Sequence, residues 1–319
     1  MATVEKRLDP TRPVAVWSSQ DLLEGRPVKS LTMILRTVGC QWNRCTMCGY
    51  ASEGASATAD DLIVQFNASM RRLSAEDQVV KIYTSGSFLD PLEMPKEARK
   101  EILEDLQSRS IKKLVIESRP EYISPVRVEE CLSIIRTEFA IGLETSNDLI
   151  RQNIIQKGFT FQDFVDAAKI VHDLGGRVKA YLLLKPPFLS EGAAIRDAIS
   201  SAKAAGHHAD ILSLNLCNIQ RSTLVERLWK RGEYRPPWLW SAVEVLKNVT
   251  SPIICDPVGA GSRRGPHNCG ECDAAIAKAI RSHDLTQDLA IFNDLDCKCK
   301  TAWQKVVELE ERTFGTPLM

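Results

Sequence analysis

Between about residues 30 and 230, short apolar runs alternate with longer stretches of helical spacing. The runs are Leu31–Thr37 (LTMILRT), Val79–Thr84, Lys113–Glu117, Glu138–Glu144, Val178–Leu184 and Asp210–Leu216. Most are apolar at consecutive positions, which suits strands covered on both faces, as in a parallel sheet. The stretches between them, such as Ala59–Leu73 and Ala193–Ala205, place apolar residues at helical spacing. Strand-helix alternation of this kind predicts right-handed βαβ units. Six repeats are too few for a closed eight-stranded barrel, so the expected class is α/β, an open partial (βα)6 barrel.

After Arg231 the pattern changes. Pro and Trp crowd together in RPPWLW, a strand-like SPIIC follows, and the helical spacing of Ala274–Ile280 leads to DCKCK and a charged final helix, Ala302–Arg312. The expected organisation is therefore an N-terminal extension (1–30), a barrel (31–235) and a small C-terminal domain (236–319) stapled by metal. In parallel α/β architectures the reacting groups gather at the carboxyl ends of strands. Here the first strand runs into Cys40, the second into Ser85-Gly86-Ser87, the fourth into Glu144-Thr145 and the fifth into Lys185-Pro186-Pro187.

The 319 residues carry 41 Lys plus Arg against 41 Asp plus Glu, a balance that argues against nucleic-acid binding by bulk charge. No apolar run reaches the roughly 20 residues of a membrane-spanning helix, and the first residues lack a secretory apolar region. The expected location is the cytoplasm, with no membrane association. Ten cysteines in a reducing compartment then point to metal or redox chemistry rather than disulfides. Cys131, Cys217 and Cys255 stand alone and read as small buried hydrophobes. The other seven form two clusters.

The first is Cys40-Gln-Trp-Asn-Arg-Cys45-Thr-Met-Cys48, three thiols in one loop after a strand. Thiolates are the usual ligands of iron–sulfur clusters, and three of them on a four-iron cube leave one iron open. A zinc knuckle is the competing reading, but zinc takes four ligands and no fourth lies nearby. With this triplet the chain resembles the radical S-adenosylmethionine (SAM) enzymes, although their usual spacing has one residue fewer between the first two cysteines. The resemblance implies a [4Fe–4S] cluster on Cys40, Cys45 and Cys48, with SAM chelated at the open iron. It implies that Met47 packs on adenine and that the Ser85-Gly86-Ser87 turn meets the methionyl amino group. Ile141-Gly142-Leu143-Glu144-Thr145 resembles the motif whose acidic side chain bonds the ribose. Gln156-Lys157-Gly158-Phe159-Thr160 resembles a run of the Elongator-catalytic-subunit branch, with Lys157 replacing the arginine expected at the methionyl carboxylate. Lys185, Asn215 and Gln220 are further candidates for gripping SAM or substrate.

The second cluster pairs Cys269-x2-Cys272 with Cys297-x-Cys299. It suits one structural zinc, held by four thiolates or by three with His267; a second iron–sulfur cluster is the rival. Arg263, Arg264, Lys278, Lys298 and Lys300 surround it as a local basic patch. Both clusters together resemble the radical SAM group of archaeosine synthesis (RaSEA). That resemblance implies a tRNA substrate bearing a lysine-adducted deazaguanine and C–N cleavage to a formamidine. It also implies the lysine-transferring archaeosine synthase as partner, and a low-potential electron donor. Another radical SAM enzyme acting on tRNA or a metabolite, or a non-enzymatic metal scaffold, are the alternatives.

Overall fold

The computed structural model describes residues 8–313. Within them run β1 (Ala15–Leu23), β2 (Arg26–Ile34), α1 (Ala59–Met70), β3 (Asp77–Tyr83), α2 (Lys96–Ser108), β4 (Lys113–Ser118), α3 (Pro125–Leu132), β5 (Thr137–Glu144), α4 (Phe161–Asp173), β6 (Arg177–Leu184), α5 (Glu191–Ala205), β7 (Ile211–Leu216), α6 (Leu224–Lys230), α7 (Leu239–Lys247), β8 (Ile253–Ile254), α8 (Asp273–Thr286) and α9 (Cys299–Leu309). Strand order follows chain order throughout. The six expected strands are β2 to β7, and the SPIIC run supplies the short β8. β1 was not expected.

The chain divides into two compact units. One holds the residues up to Asn43 with Tyr50–Ile141 and Asp166–Val178; the other holds Arg44–Gly49, Gly142–Val165 and the chain from Lys179 on.

In the first unit β1 and β2 form an antiparallel hairpin, closed by Glu24 and Gly25 with φ of 52° and 75°. Two left-handed residues make the turn whose twist matches paired strands. This hairpin pulls β2 towards the N-terminus relative to the apolar run, so that β2 ends at Ile34. From β2 onward the pairing is parallel, with Leu31 beside Val80, Val80 beside Leu114 and Leu114 beside Thr137. Side chains at Leu31, Met33, Val80, Ile82, Leu114, Ile116 and Phe139 are fully buried, as are Leu62 of α1 and Ile102 and Leu106 of α2. Thr58 and Asp61 cap α1 reciprocally. On β1, Asp21 receives Lys81 at 2.7 Å and Lys113 at 3.0 Å, so paired charges fasten the polar SSQD strand.

In the second unit β6, β7 and β8 pair in parallel, Leu182 beside Leu214 and Leu212 beside Ile253. Among its buried charges is Lys185, one residue past β6 with φ of 61°. The ammonium lies 2.5 Å from Glu191 and 3.7 Å from Glu310, and all three residues are at most 2% exposed. Glu191 also accepts the Trp238 N–H at 2.9 Å and the Ser241 hydroxyl at 2.5 Å, and Glu310 accepts the Glu191 N–H. Burial pushes the Glu310 carboxyl up, against the pull of Lys185. The cluster thus ties the start of α5 to α7 and to the end of α9.

A buried ion pair is expensive to form but more expensive to break from one side. Lys185→Met is expected to destabilise the protein by about 3–5 kcal/mol, because two buried carboxylates lose their counter-ion. Denaturant unfolding of the variant within 1 kcal/mol (roughly one surface pair's worth) of the parent would contradict this.

Candidate active site and metal centre

The cysteine loop begins where β2 leaves its ladder. Leu35 N–H still donates to Tyr83 C=O at 2.9 Å, Thr37 is buried, and Gly39 takes φ of 93° just before Cys40. Further on in the same unit the Arg119 guanidinium covers the Trp42 ring at 5.2 Å. All three loop thiols are half-buried.

Cys45 and Cys48 belong to the second unit, where Thr46 between them is held from two sides. Its N–H donates to Ile155 C=O at 2.9 Å and its hydroxyl to Ile154 C=O at 2.8 Å. Its carbonyl accepts the N–H groups of Leu224 at 3.0 Å and Val225 at 3.3 Å, in the first turn of α6. Gly49 N–H donates to Gln220 Oε1 at 2.5 Å, and a Cβ at Gly49 would stand 2.8 Å from Arg221 C=O. Gln220 therefore braces the cysteine loop. Met47 packs on an apolar cluster of Ile155, Leu183, Cys217, Ile219 and Val225.

The Ser85-Gly86-Ser87 turn lies in the first unit. A Cβ on Gly86 would come within 2.8 Å of Cys40 Sγ, so only glycine lets the turn approach that thiol. Behind the turn sits Glu93, 1% exposed, which accepts the Thr37 hydroxyl at 2.9 Å and the N–H groups of Ser87 at 2.9 Å and Gly86 at 3.1 Å. Burial pushes its carboxyl up to about 7, against these hydrogen bonds.

At the end of β5, Glu144 and Lys157 form a 2.5 Å ion pair. Glu144 takes φ of 67° and is 8% exposed. A Cβ on Gly142 would stand 3.1 Å from Glu144 Oε1 and overlap Lys157 Nζ, so the glycine leaves room for the pair. Between the two partners the chain forms a π-helix, Ile150–Ile155, which ends on left-handed Gln156. Arg151 within it is fully buried, donating to Thr145 C=O, to Phe159 C=O at 2.8 Å, and pairing with Asp148. Burial lowers its guanidinium to about 10. It cross-braces the segment that carries Glu144 and Lys157. Lys185, by contrast, has its ammonium enclosed by Glu191 and Glu310.

The C-terminal cysteines converge. Their four sulfurs lie within 4.8 Å of one another, with Cys272 to Cys299 at 3.5 Å, Cys269 to Cys297 at 3.7 Å and Cys269 to Cys272 at 4.0 Å. A tetrahedral ion with metal–sulfur bonds of about 2.3 Å sets its ligands ~3.8 Å apart. The spacing fits one mononuclear ion better than a cluster, where each thiolate takes a separate iron. Gly270 turns the first pair at φ of 94°. Trp240 Nε1–H and Asn268 Nδ2–H each lie 3.3 Å from a sulfur, Cys299 and Cys272 respectively, as donors to thiolates would. His267 falls outside the ligand group and places Nδ1 2.8 Å from Gly265 C=O. Of the basic patch, Arg264 pairs with Glu226 at 2.8 Å and Lys300 lies over Trp240, whereas Arg263, Lys278 and Lys298 are exposed. Cys131, Cys217 and Cys255 are buried, and burial pushes their thiols well up, as inert packing requires.

Residues 34–191 match the radical SAM superfamily. The chain belongs to the radical SAM superfamily. It is 47% identical over 322 residues to archaeosine synthase subunit beta of Methanosarcina acetivorans, covering 96% of this chain and 93% of that protein. It is 43% identical to the protein of the same name from Thermococcus kodakarensis, covering 92% and 96%. Among solved structures it resembles queuine lyase from Clostridium spiroforme, bound to SAM and queuine, with a TM-score of 0.50, 21% identity, and coverage of 80% and 96%. The fold is the expected partial barrel of the radical SAM type, completed by a C-terminal cysteine cluster. No helix among the described residues is long and apolar enough to cross a membrane.

Three braces, Glu93, Thr46 and Arg151, escape a reading of the sequence. Glu93 lies six residues beyond the turn it holds, and the partners of Thr46 are over a hundred positions away.

Two measurements check these sites. Elemental analysis of the protein is expected to show one ion per chain besides iron. Cys299→Ser is expected to lose it and to lower Tm by about 5–10 °C, because metal affinity here is folding free energy; retained metal in that variant would remove the assignment. Gly142→Ala is expected to displace Lys157 while leaving Tm within about 3 °C of the parent. An unshifted Lys157 side-chain resonance in the variant would show that the glycine does not set this pair.

Proposed function

We propose that this chain is the radical subunit of an archaeosine-forming enzyme. It acts on tRNA bearing a lysine-adducted deazaguanine and cleaves the lysine C–N bond, leaving the formamidine on the base. The observation that supports this most is the near end-to-end match to two proteins named archaeosine synthase subunit beta. That name also supports a partner subunit, which we take to be the lysine-transferring synthase, and a low-potential electron donor completes the system.

The residues fit the cofactors this reading needs. Three half-buried thiols on one loop form the soft donor set of an iron–sulfur cluster. With SAM bound, a [4Fe–4S] cluster on Cys40, Cys45 and Cys48 supplies a 5′-deoxyadenosyl radical that abstracts hydrogen from an unactivated carbon. The chain's own part is to hold and orient. Gly86 leaves the space beside Cys40 in which the Ser85-Gly86-Ser87 backbone meets the methionyl amino group. Met47 offers an apolar wall to adenine from its seat on the Ile155 cluster. Glu144 accepts from the ribose hydroxyls, and Lys157 beside it neutralises the methionyl carboxylate. Lys185 serves this site by fixing the backbone after β6, its charge being spent on Glu191 and Glu310. Zinc is our assignment for the four C-terminal thiols.

The test is anaerobic incubation of reconstituted protein with SAM and dithionite, followed by addition of partner-treated tRNA. 5′-Deoxyadenosine is expected from the parent and not from Cys40→Ala, and mass spectrometry of tRNA nucleosides is expected to show the formamidine. 5′-Deoxyadenosine with unchanged tRNA would point to a different radical SAM reaction. No 5′-deoxyadenosine would point to a scaffold.

A further inference from the structure

Glu93 is a costly residue to bury. A carboxylate out of water loses solvation that only hydrogen bonds can return, and a packed apolar side chain would serve a core more cheaply. Glu93 is 1% exposed, lies near the equally buried Asp90, and follows Phe88 and Leu89, both 0% exposed. Burial and the Asp90 charge both raise its carboxyl. The partners it holds show where that cost is returned.

All its hydrogen bonds go to two places. Oε1 accepts Ser87 N–H at 2.9 Å, while Oε2 accepts Gly86 N–H at 3.1 Å and the Thr37 hydroxyl at 2.9 Å. Thr37 Oγ1 in turn accepts Gly39 N–H at 3.1 Å, one residue before Cys40. The turn side is locked as well: Ser87 Oγ lies 2.8 Å from Ser118 Oγ and accepts Leu89 N–H at 3.2 Å. One carboxylate therefore links the root of the cysteine loop, after β2, to the glycine turn after β3. It fixes both at the point where Gly86 comes closest to Cys40.

We propose that Glu93 is a positioning residue for the SAM methionyl group. Its carboxylate sets the Ser85-Gly86-Ser87 backbone against the Cys40 end of the loop, so that the turn stands ready beside the cluster. This rests on the cofactor roles given above to Cys40 and the turn. Two N–H groups are taken by Glu93 and the Ser87 C=O accepts Asp90 N–H at 3.2 Å, so the acceptors the turn offers to the ligand's ammonium are the carbonyls of Ser85 and Gly86. A carboxylate is needed for this geometry because both oxygens must accept. Glutamine would turn an NH2 donor toward one of the backbone N–H groups and leave it without a partner.

The experiment uses the full chain, reconstituted anaerobically, as parent, Glu93→Gln, Thr37→Val and Thr37→Ser. Three quantities are read for each: iron per chain, SAM affinity per iron-loaded chain by equilibrium dialysis, and the change that SAM causes in the EPR spectrum of the reduced cluster. Glu93→Gln is expected to bind SAM about tenfold more weakly, the loss of one charge-assisted hydrogen bond, and to alter the SAM-dependent EPR change. Thr37→Val is expected to weaken SAM binding in the same direction, and Thr37→Ser, which keeps the hydroxyl, to match the parent. A residue with a merely structural role would lower iron content and Tm while leaving SAM affinity per loaded chain unchanged, and that result would overturn the proposal. If Glu93→Gln does not fold, the Thr37 pair decides: equal SAM affinity for Val and Ser at position 37 overturns it. A parent that takes up no iron, or loads iron and binds no SAM, overturns the cofactor reading itself, an outcome distinct from parent-like variants.

Discussion

On the proposed reading, three soft ligands stand on one short loop, and a loop has no internal ladder to keep it in place. The chain solves this by satisfying the loop's backbone from outside. In one unit Thr37 and Glu93 fix the approach to Cys40. In the other, Thr46 gives its N–H and hydroxyl to Ile155 and Ile154 and receives two donors from α6, which pins the stretch between Cys45 and Cys48. Gln220 then closes the end at Gly49. Preorganisation of this kind removes ordering cost from the binding step, so that ligand affinity is not consumed in fixing the loop.

The same economy governs the buried charges. Lys185 with Glu191 and Glu310, Asp21 with Lys81 and Lys113, and Arg151 all sit where an apolar side chain would be cheaper. What they share is direction. Glu191 and Glu310 accept backbone N–H groups at the starts of α7 and α5, Arg151 donates to the carbonyls of Thr145 and Phe159, and Lys113 donates to Leu22 C=O. Lys185 follows the last residue of β6, and Arg151 occupies a π-helix, a form that places one extra residue in a turn and occurs mostly at functional sites. Apolar packing holds the strands together, whereas these polar clusters aim the loops that leave them.

The strands were legible because parallel strands read as unbroken apolar runs, and the cysteines because closely spaced thiols demand a chemical reason. β1 was not legible. Its SSQD centre is polar, and it is held by its ladder to β2 and by Asp21, which meets two lysines brought by β3 and β4, a pairing with no local signal. The Glu24-Gly25 turn was the one available clue. The C-terminal ligand set was half legible: spacing allowed His267 to compete, and geometry decided for four thiols by bringing α8 and α9 together. Lys185 was read as a residue facing the barrel mouth because strand ends carry function. Position along a strand says nothing of which carboxylates arrive from elsewhere, and here they come from α5 and from the end of α9.

Lys157 depends on the space left around it. A planar arginine fork would need room for two parallel hydrogen bonds to a carboxylate. Lysine is a compact point charge, and here it folds back over Gly142 to reach Glu144 at 2.5 Å. That path exists only because position 142 has no Cβ. Glu144 itself takes a left-handed backbone, φ of 67°, and Arg151 donates to the carbonyl of the next residue, Thr145. An ion pair of this sort supplies a carboxylate acceptor and an ammonium donor side by side. A ligand carrying hydroxyls next to a carboxylate is the chemical complement of that arrangement.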